Sequence, residues 1–452
     1  MTKENADMYR KNIAIIGSGI TGLGSAWLLH KQYNVTLFEK NNYIGGHTHT
    51  IDVPEQAGSV PVDTGFIVYN DRNYPNLIGL FAQLGVATRD TDMSFAFSLN
   101  QGELEYSGSS FDTLFAQRKN LFRPRHWRLL AEIMRFNKIA HQLLANPTAV
   151  PDMSLGEMLD AHQFSRDMRE HYLLPMGAAI WSCPVDTMLK FPALSFLRFF
   201  ANHGLIDLRN RPQWRTVCGG SSFYVRKLLT EMGDKITLQA GAVRVERSAT
   251  QASVFTETEK HDFDAVIFAC HADEALALLA QPTPEEQRIL GCFHYEKNQT
   301  YLHTDAKLMP LNHKVWSSWN YLATSQPAAR QQMTASYWMN KLQGLNTPKD
   351  YFVTLNPYEL PRDEHIIAEM TYEHPVFDQA AMNAQPQLAS LQGQQHSWFC
   401  GSYHRYGFHE DALASAVKIC KDFGITPVWV NAQETTTPQP VLPIAMAGAV
   451  TP

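Results

Sequence analysis

The first ordered pattern in the chain is a fully apolar run, Ile13-Ala14-Ile15-Ile16, that stops at Gly17. Four consecutive apolar residues with no polar alternation predict a strand buried on both faces, as in a parallel sheet. Gly17-Ser18-Gly19-Ile20-Thr21-Gly22 then leads into Leu23-Gly24-Ser25-Ala26-Trp27-Leu28-Leu29, a helical stretch with small residues at its start. A second apolar run, Val35-Thr36-Leu37-Phe38, ends in Glu39. Strand, glycine turn, helix and strand make one βαβ unit. Further on, Gly219-Gly220-Ser221-Ser222 predicts a loop opening the helix Phe223–Leu229, and acids at 410 and 411 predict the first turn of a helix. No apolar stretch approaches the roughly 20 residues that span a bilayer. Residues 430–452, rich in Thr, Pro and Ala without periodicity, predict a loosely held tail.

Glycine spacing gives the first unit its chemistry. Gly17 permits the tight turn, Gly19 lets a pyrophosphate approach the backbone, and Gly22 lets helix and strand pack closely. The helix N-terminus, with Ile20 and Thr21 in its first turn, offers free N–H groups and a positive dipole end to phosphate. Glu39, about 20 residues on, is placed to bind an adenosine ribose and to repel a 2′-phosphate, which disfavours NADP. Only one complete fingerprint is present, so no second, resident NAD(P) site is expected.

Composition narrows the remaining classes. Hydrophobic residues at 44% and charged residues at 18% predict a globular protein able to bury a large core. A formal charge of -6 argues against nucleic acid as a partner. The six cysteines form no CxxC pair and the first ten residues lack a secretory apolar segment, which predicts reduced thiols in the cytoplasm. The 18 histidines show no HExxH spacing, and no Gly-x-Ser-x-Gly elbow occurs, so neither a metal site nor a hydrolase is expected.

A second diglycine follows the ribose acid, in Lys40-Asn41-Asn42-Tyr43-Ile44-Gly45-Gly46-His47-Thr48. With the first motif, it resembles the FAD-dependent flavoproteins of the amine-oxidase and phytoene-desaturase type. That resemblance implies an α/β fold in which a Rossmann-type FAD-binding domain is interleaved with an α+β substrate domain. The FAD-binding domain would comprise 10–80, 205–275 and 390–425, and the substrate domain 80–205 and 275–390. It also implies that Val243 abuts the adenine, that Cys270 ends a strand returning to the nucleotide, and that Ser397–Ser402, with Gly401, is a last strand ending at the flavin. Phe408, His409 and Glu410 would open a helix aimed at the pyrimidine side of the flavin ring, whose dipole favours the reduced anion. His47 stands where the family usually has Arg; a covalent histidyl–flavin bond through His47 or His49 is the alternative to the expected non-covalent FAD. Val62–Asn70, including Gly65 and Phe66, and Ser317-Ser318-Trp319-Asn320-Tyr321 resemble a narrower bacterial group. That group is associated with cyclopropane-fatty-acid-synthase-like methyltransferases and modified membrane fatty acids, which makes such a methyltransferase a candidate partner.

Catalytic candidates are fewer, because a flavin supplies the hard chemistry itself. Lys297 lies in the region where amine oxidases carry a lysine near the flavin, and a turn cation is the plain alternative. His303 and Asp305, two apart on a strand, would share one face, as an oriented base or as a structural hydrogen bond. Arg405 would repel a protonated amine if it faced the flavin. Trp181, Trp316, Trp319, Tyr337 and Trp338 could line a long apolar tunnel or fill an ordinary core. Arg118–Arg128, basic residues interleaved with Leu121, Phe122 and Trp127, form either a peripheral membrane contact or a solvated helix start whose aromatics turn inward. Three functions follow as expectations. The first is an FAD oxidoreductase taking hydride from a hydrophobic substrate, such as an unsaturated or methylated fatty acyl chain of membrane lipid. The second is an amine or amino-acid oxidase, and the third a non-catalytic flavin-bearing partner of the methyltransferase. The expected location is the cytoplasm, with membrane association through the basic segment.

Overall fold

The computed structural model describes residues 10–430, apart from 57, 208 and 326–332; the expected tail beyond 430 lies outside the described residues. Strand Asn12–Ile16 sits at the centre of a five-stranded parallel sheet, flanked by Asn34–Glu39 and Ala265–Phe268, with Ile236–Ala240 and Ser397–Phe399 at the edges. Ile13, Ala14 and Ile15 have no exposed surface, because helices cover one face and an antiparallel sheet with its helices covers the other. Helix Ile20–Leu29 packs beside the C-terminal helix His409–Asp422, where the Leu413 side chain lies so close to Gly24 that a Cβ there would be 2.7 Å from it. The chain thus returns after nearly 400 residues to the helix that opened it.

A second body is built on a seven-stranded sheet. Its order is Ile366–Val376, His294–His303, Phe352–Leu355, Thr334–Trp338, Trp319–Ala323, Phe95–Leu99 and Leu104–Ser107. All neighbours are antiparallel except Trp319–Ala323 and Phe95–Leu99, which run parallel. Helices Pro124–Ala145, Leu174–Trp181 and Ala193–Asn202 pack with this sheet around one large aromatic and aliphatic core. The two bodies are joined through polar contacts as well as packing: buried Asp63 accepts from the N–H and Oγ of Ser221 and from Thr50 Oγ1, and its N–H donates to Gln343. Burial pushes the Asp63 carboxyl up to about 6 against these donors.

The chain on either side of Val243 belongs to two different sheets. Ile236–Ala240 belongs to the parallel sheet, whereas Arg244–Arg247 starts a three-stranded antiparallel sheet. Val243 lies between them, half exposed, at the point where the chain leaves the nucleotide sheet.

Candidate functional site

A cavity of about 1570 Å³ runs from the glycine turn into the second body. This exceeds the roughly 300–1,000 Å³ of a pocket for one small molecule, and leaves room for a dinucleotide and a substrate together.

Its first end is made by backbone. Gly17 has φ +103°, and a Cβ there would meet the Ala269 carbonyl at 2.8 Å. A Cβ on Gly22 would lie 1.8 Å from the Gly17 carbonyl, so this glycine closes the turn from within and does not line the cavity. Gly19 differs: a Cβ there would meet nothing within 4 Å and would project into open space at the N-terminus of helix Ile20–Leu29. Gly46 of the second diglycine approaches so closely that its Cβ would be 3.0 Å from Gly19 Cα. Gly45, with φ +132°, shapes the loop by its approach to the Thr48 carbonyl. Glu39 receives the Ser18 N–H at 2.9 Å, the Ser18 Oγ at 2.5 Å and the Asn41 N–H at 2.8 Å. Its carboxylate therefore holds the loop, and Glu39 also lines the cavity.

Around this cradle stand four histidines from separate segments. His47 has a buried Nε2 with no hydrogen-bond partner, its ring 5.3 Å from His374 and 6.5 Å from His271. Burial, and then the His271 charge, push its pKa down to about 4. Burial does the same to His374 and His409, each to about 3, so these rings are neutral at pH 7. His409 stacks on Phe66 at 3.7 Å and its Nε2 meets Tyr224 Oη at 2.8 Å and Thr48 Oγ1 at 3.1 Å. A dianionic pyrophosphate would give the orphaned His47 nitrogen a partner and would occupy the open space at Gly19. The donor set thus fits FAD: when it is bound, glycine N–H groups and His47 would hold the phosphates and Glu39 the ribose, leaving Val243 for the adenine and Gly65, Phe66, Gly401, Phe408 and His409 for the flavin. His49 is stacked on Tyr43 at 4.2 Å with Nδ1 2.9 Å from Tyr372 Oη, and does not line the cavity. Lys40 and Cys270 do line it, Lys40 paired with Glu274 and Cys270 kept as a thiol by burial that pushes its pKa up.

Several expected roles are corrected. Glu410 faces away from the cavity: it accepts from Asn76 N and Nδ2 and from Leu77 N, capping helix Pro75–Leu84, and burial against these donors raises it to about 7. His303 is buried in the second sheet with Nε2 2.7 Å from Thr354 Oγ1, outside the cavity lining. Asp305 does not orient it: only the Asp305 backbone N–H reaches His303 Nδ1, while the carboxylate binds Arg362. Burial pushes the Asp305 carboxyl up, and Arg362 overrides it, holding it below the ordinary aspartate range. The strand ends at His303, so the alternation that would have put both side chains on one face breaks before Asp305. Lys297 lines the cavity at its edge, mostly exposed and 3.5 Å from Glu373, as a surface ion pair. Arg405 is exposed and outside the lining, so it repels nothing at the site. Sequence spacing also missed a trio with metal-ligand side chains, His271, Glu274 and Glu373, which comes from segments about 100 residues apart. Its acids are paired with Lys40 and Lys297.

The second end of the cavity is apolar. Trp181, Phe199, Tyr406 and Phe408 form one wall, with Phe199 and Phe408 stacked at 5.0 Å and Trp181 4.6 Å from Phe199. Trp319 and Tyr337 line it too; Trp316 and Trp338 pack edge-to-face at 5.4 Å outside it. Among the described lining residues the carboxylates are Glu39, Glu274 and Glu373, all at the nucleotide end.

With that geometry in view, residues 15–84 match the family model of NAD(P)-binding Rossmann-like domains, the same βαβ unit that FAD uses. A protein of Mycobacterium tuberculosis provisionally named flavin-containing monoamine oxidase AofH is 23% identical over 294 residues, 62% of this chain; the chain spans 61% of that relative's length. Cyclohexylamine oxidase from Brevibacterium oxydans superposes with a TM-score of 0.63 at 15% identity, covering 92% of this chain and 100% of that one. A fatty acid isomerase from P. acnes that produces CLA superposes with the same score and identity, over 92% and 99%. At these identities the superpositions establish the fold. In sequence and in fold the chain is thus similar to flavin-containing amine oxidases, and the cofactor that its nucleotide site fits is FAD.

Proposed function

We propose that the protein is an FAD-dependent oxidoreductase that takes hydride from a long apolar substrate, with an unsaturated or methylated fatty acyl chain as the best fit. The observation that carries this is the shape of the cavity: a polar nucleotide end continuous with an aromatic and aliphatic arm that has no carboxylate to pair with an ammonium group. FAD, when bound, supplies the hydride acceptor. The chain's part is to hold the donor carbon in place and keep water out. Trp181, Phe199 and Phe408 exclude water at the junction of the two ends, and Met176, Ile180 and Leu205 extend the apolar surface beyond it. An allylic C–H fits such a site because the charge left on the carbon is delocalised, so the walls need not supply a counter-ion. The N-terminus of helix His409–Asp422, whose first residue lines the cavity, stabilises negative charge developing nearby.

A second reading, amine oxidation, is supported by the named relatives and by the aromatic wall, which suits an uncharged amine. Adding unsaturated fatty acids, then amines, to the holoprotein without oxygen separates the two. Bleaching of the flavin spectrum by the acyl chain supports the first reading. Bleaching by small amines alone overturns it. A spectrum that stays oxidised with both leaves the non-catalytic flavin-bearing partner as the function to pursue.

A further inference from the structure

Four of the nine large hydrophobic side chains exposed among the described residues lie within positions 111–134: Phe111, Phe122, Trp127 and Met134. Phe122 is 86% exposed, so the aromatics of this segment do not turn inward. Two of them are held together from beneath by the fully buried Phe115. The ring of Phe111 lies 4.7 Å from Phe115, and that of Phe115 4.9 Å from Trp127. The Trp127 indole N–H donates to the Leu121 carbonyl at 2.9 Å, fixing the ring against the turn Arg118–Phe122 that carries Phe122. One helical face of Pro124–Ala145 then continues from Trp127 through Leu130 to Met134.

Charge on this surface is divided. Arg118 is paired with Asp112 and Arg125 with Asp167. Lys119, Arg123 and Arg128 are exposed and have no ion pair among the described residues. A basic, aromatic surface on a protein of net charge -6 selects an anionic counterpart and orients the whole molecule toward it. The same elements also wall the apolar arm: Leu114, Leu130, Ile133 and Met134 line the cavity, and Met134 is both lining and half exposed. The arm therefore reaches the surface among these side chains. No described helix is long and apolar enough to cross a membrane.

We propose that this face docks on an anionic phospholipid bilayer, with Phe122, Trp127 and Phe111 seated at headgroup depth, Lys119, Arg123 and Arg128 against the lipid phosphates, and the cavity mouth at Met134 opening onto the acyl chains. Aromatic side chains favour this depth, where one end of the ring is wet and the rest is not. Cations near an anionic leaflet add attraction that falls off within a Debye length. Docking stands independently of the reaction; delivery of the substrate from the bilayer rests on the acyl-chain reading above.

The test is co-sedimentation of the full-length holoprotein with phosphatidylcholine vesicles, with and without phosphatidylglycerol. Binding is expected with phosphatidylglycerol and not without it, weakening as salt rises. Neutralising Lys119→Gln, Arg123→Gln and Arg128→Gln together should lower partitioning roughly 100-fold, about fivefold per charge. Phe122→Ser alone should lower it while flavin content is unchanged, whereas Leu360→Ser, an exposed apolar residue elsewhere, should not. Equal binding to neutral vesicles, or binding by the triple variant at the wild-type level, would overturn the proposal. So would self-association abolished by Phe122→Ser in the absence of lipid binding, which would make the face an interface between copies. Vesicle binding with a flavin that acyl chains never bleach would keep the docking surface and overturn only the acyl-chain reading.

Discussion

At the nucleotide end of the cavity, the turn Gly17–Gly22, the acid Glu39 and the diglycine at 45 and 46 all fall within 30 residues, and backbone does most of the contacting. At the substrate end, Trp181, Phe199, Tyr406 and Phe408 arrive from separate helices and a loop, and side chains form every wall. The first end tolerates few changes, because a turn that narrow is specified residue by residue. The second is specified by volume and apolarity, which many combinations satisfy. A cofactor common to many reactions thus sits beside a pocket that can be rebuilt for each.

The largest effect is expected at Gly19. Because a Cβ there meets no protein atom within 4 Å, Gly19→Leu should fold and yet fill the pyrophosphate position. FAD affinity should fall by more than about 100-fold, roughly 3 kcal/mol, with the melting temperature of the apoprotein nearly unchanged. Visible absorbance and calorimetry check this, and a Gly19→Leu protein purified yellow would break the distinction between the two ends. Ala179→Phe, on a buried position lining the arm, is the mirror experiment. It should leave FAD bound and slow substrate-driven bleaching about 10-fold or more, with a stability cost of about 1–3 kcal/mol from overpacking.

Acid should act mainly through the buried histidines. His47, His203, His303 and His404 are held at about 4, and His374 and His409 at about 3, against an ordinary 6.5. A lowered histidine pKa means stability fully present above about 6.5 and lost as pH falls toward the folded value. Asp63, Glu410 and Asp411, raised to about 6 to 7 by burial, pull the other way over a similar window, so they blunt the loss without reversing it. Denaturant titrations of the apoprotein should therefore show stability falling from about pH 6.5 toward 4. FAD should bind more tightly over the same interval, because its pyrophosphate favours the protonated His47. His47→Arg should remove most of that pH dependence in a flavin-fluorescence titration.

Smaller effects distinguish structural residues from chemical ones. Glu410→Gln should cost about 1–2 kcal/mol through the weakened cap on helix Pro75–Leu84, with FAD content unchanged. Lys297→Ala, an exposed partner of Glu373, should change stability by no more than about 0.5 kcal/mol and leave the rate of flavin bleaching within twofold.

What could be read from the sequence follows from range. Gly17, Gly19, Gly22 and Glu39 are legible because one βαβ unit fixes their relative positions locally. His303 and Asp305 are close in sequence, but their partners, Thr354 and Arg362, lie about 50 residues away. Nothing local shows that the strand ends between them. Arg405 and Glu410 flank cavity residues and face elsewhere, since the bend at Gly407, φ +94°, turns the chain from a short helical turn into a new helix. The histidine ring of His47, His271, His374 and His409 is a product of tertiary packing alone. Aromatic residues at 181, 199 and 408 carry no common spacing, so the apolar arm becomes visible only when the helices are placed.

The most direct test of a cavity with a nucleotide end and an apolar arm is stopped-flow bleaching of the flavin, without oxygen, by unsaturated acyl chains of increasing length beside a matched series of amines. Affinity should rise with chain length until the arm is filled, and Ala179→Phe should shorten the length at which it levels off. Bleaching by short amines, with no dependence on chain length and no response to Ala179→Phe, would contradict it.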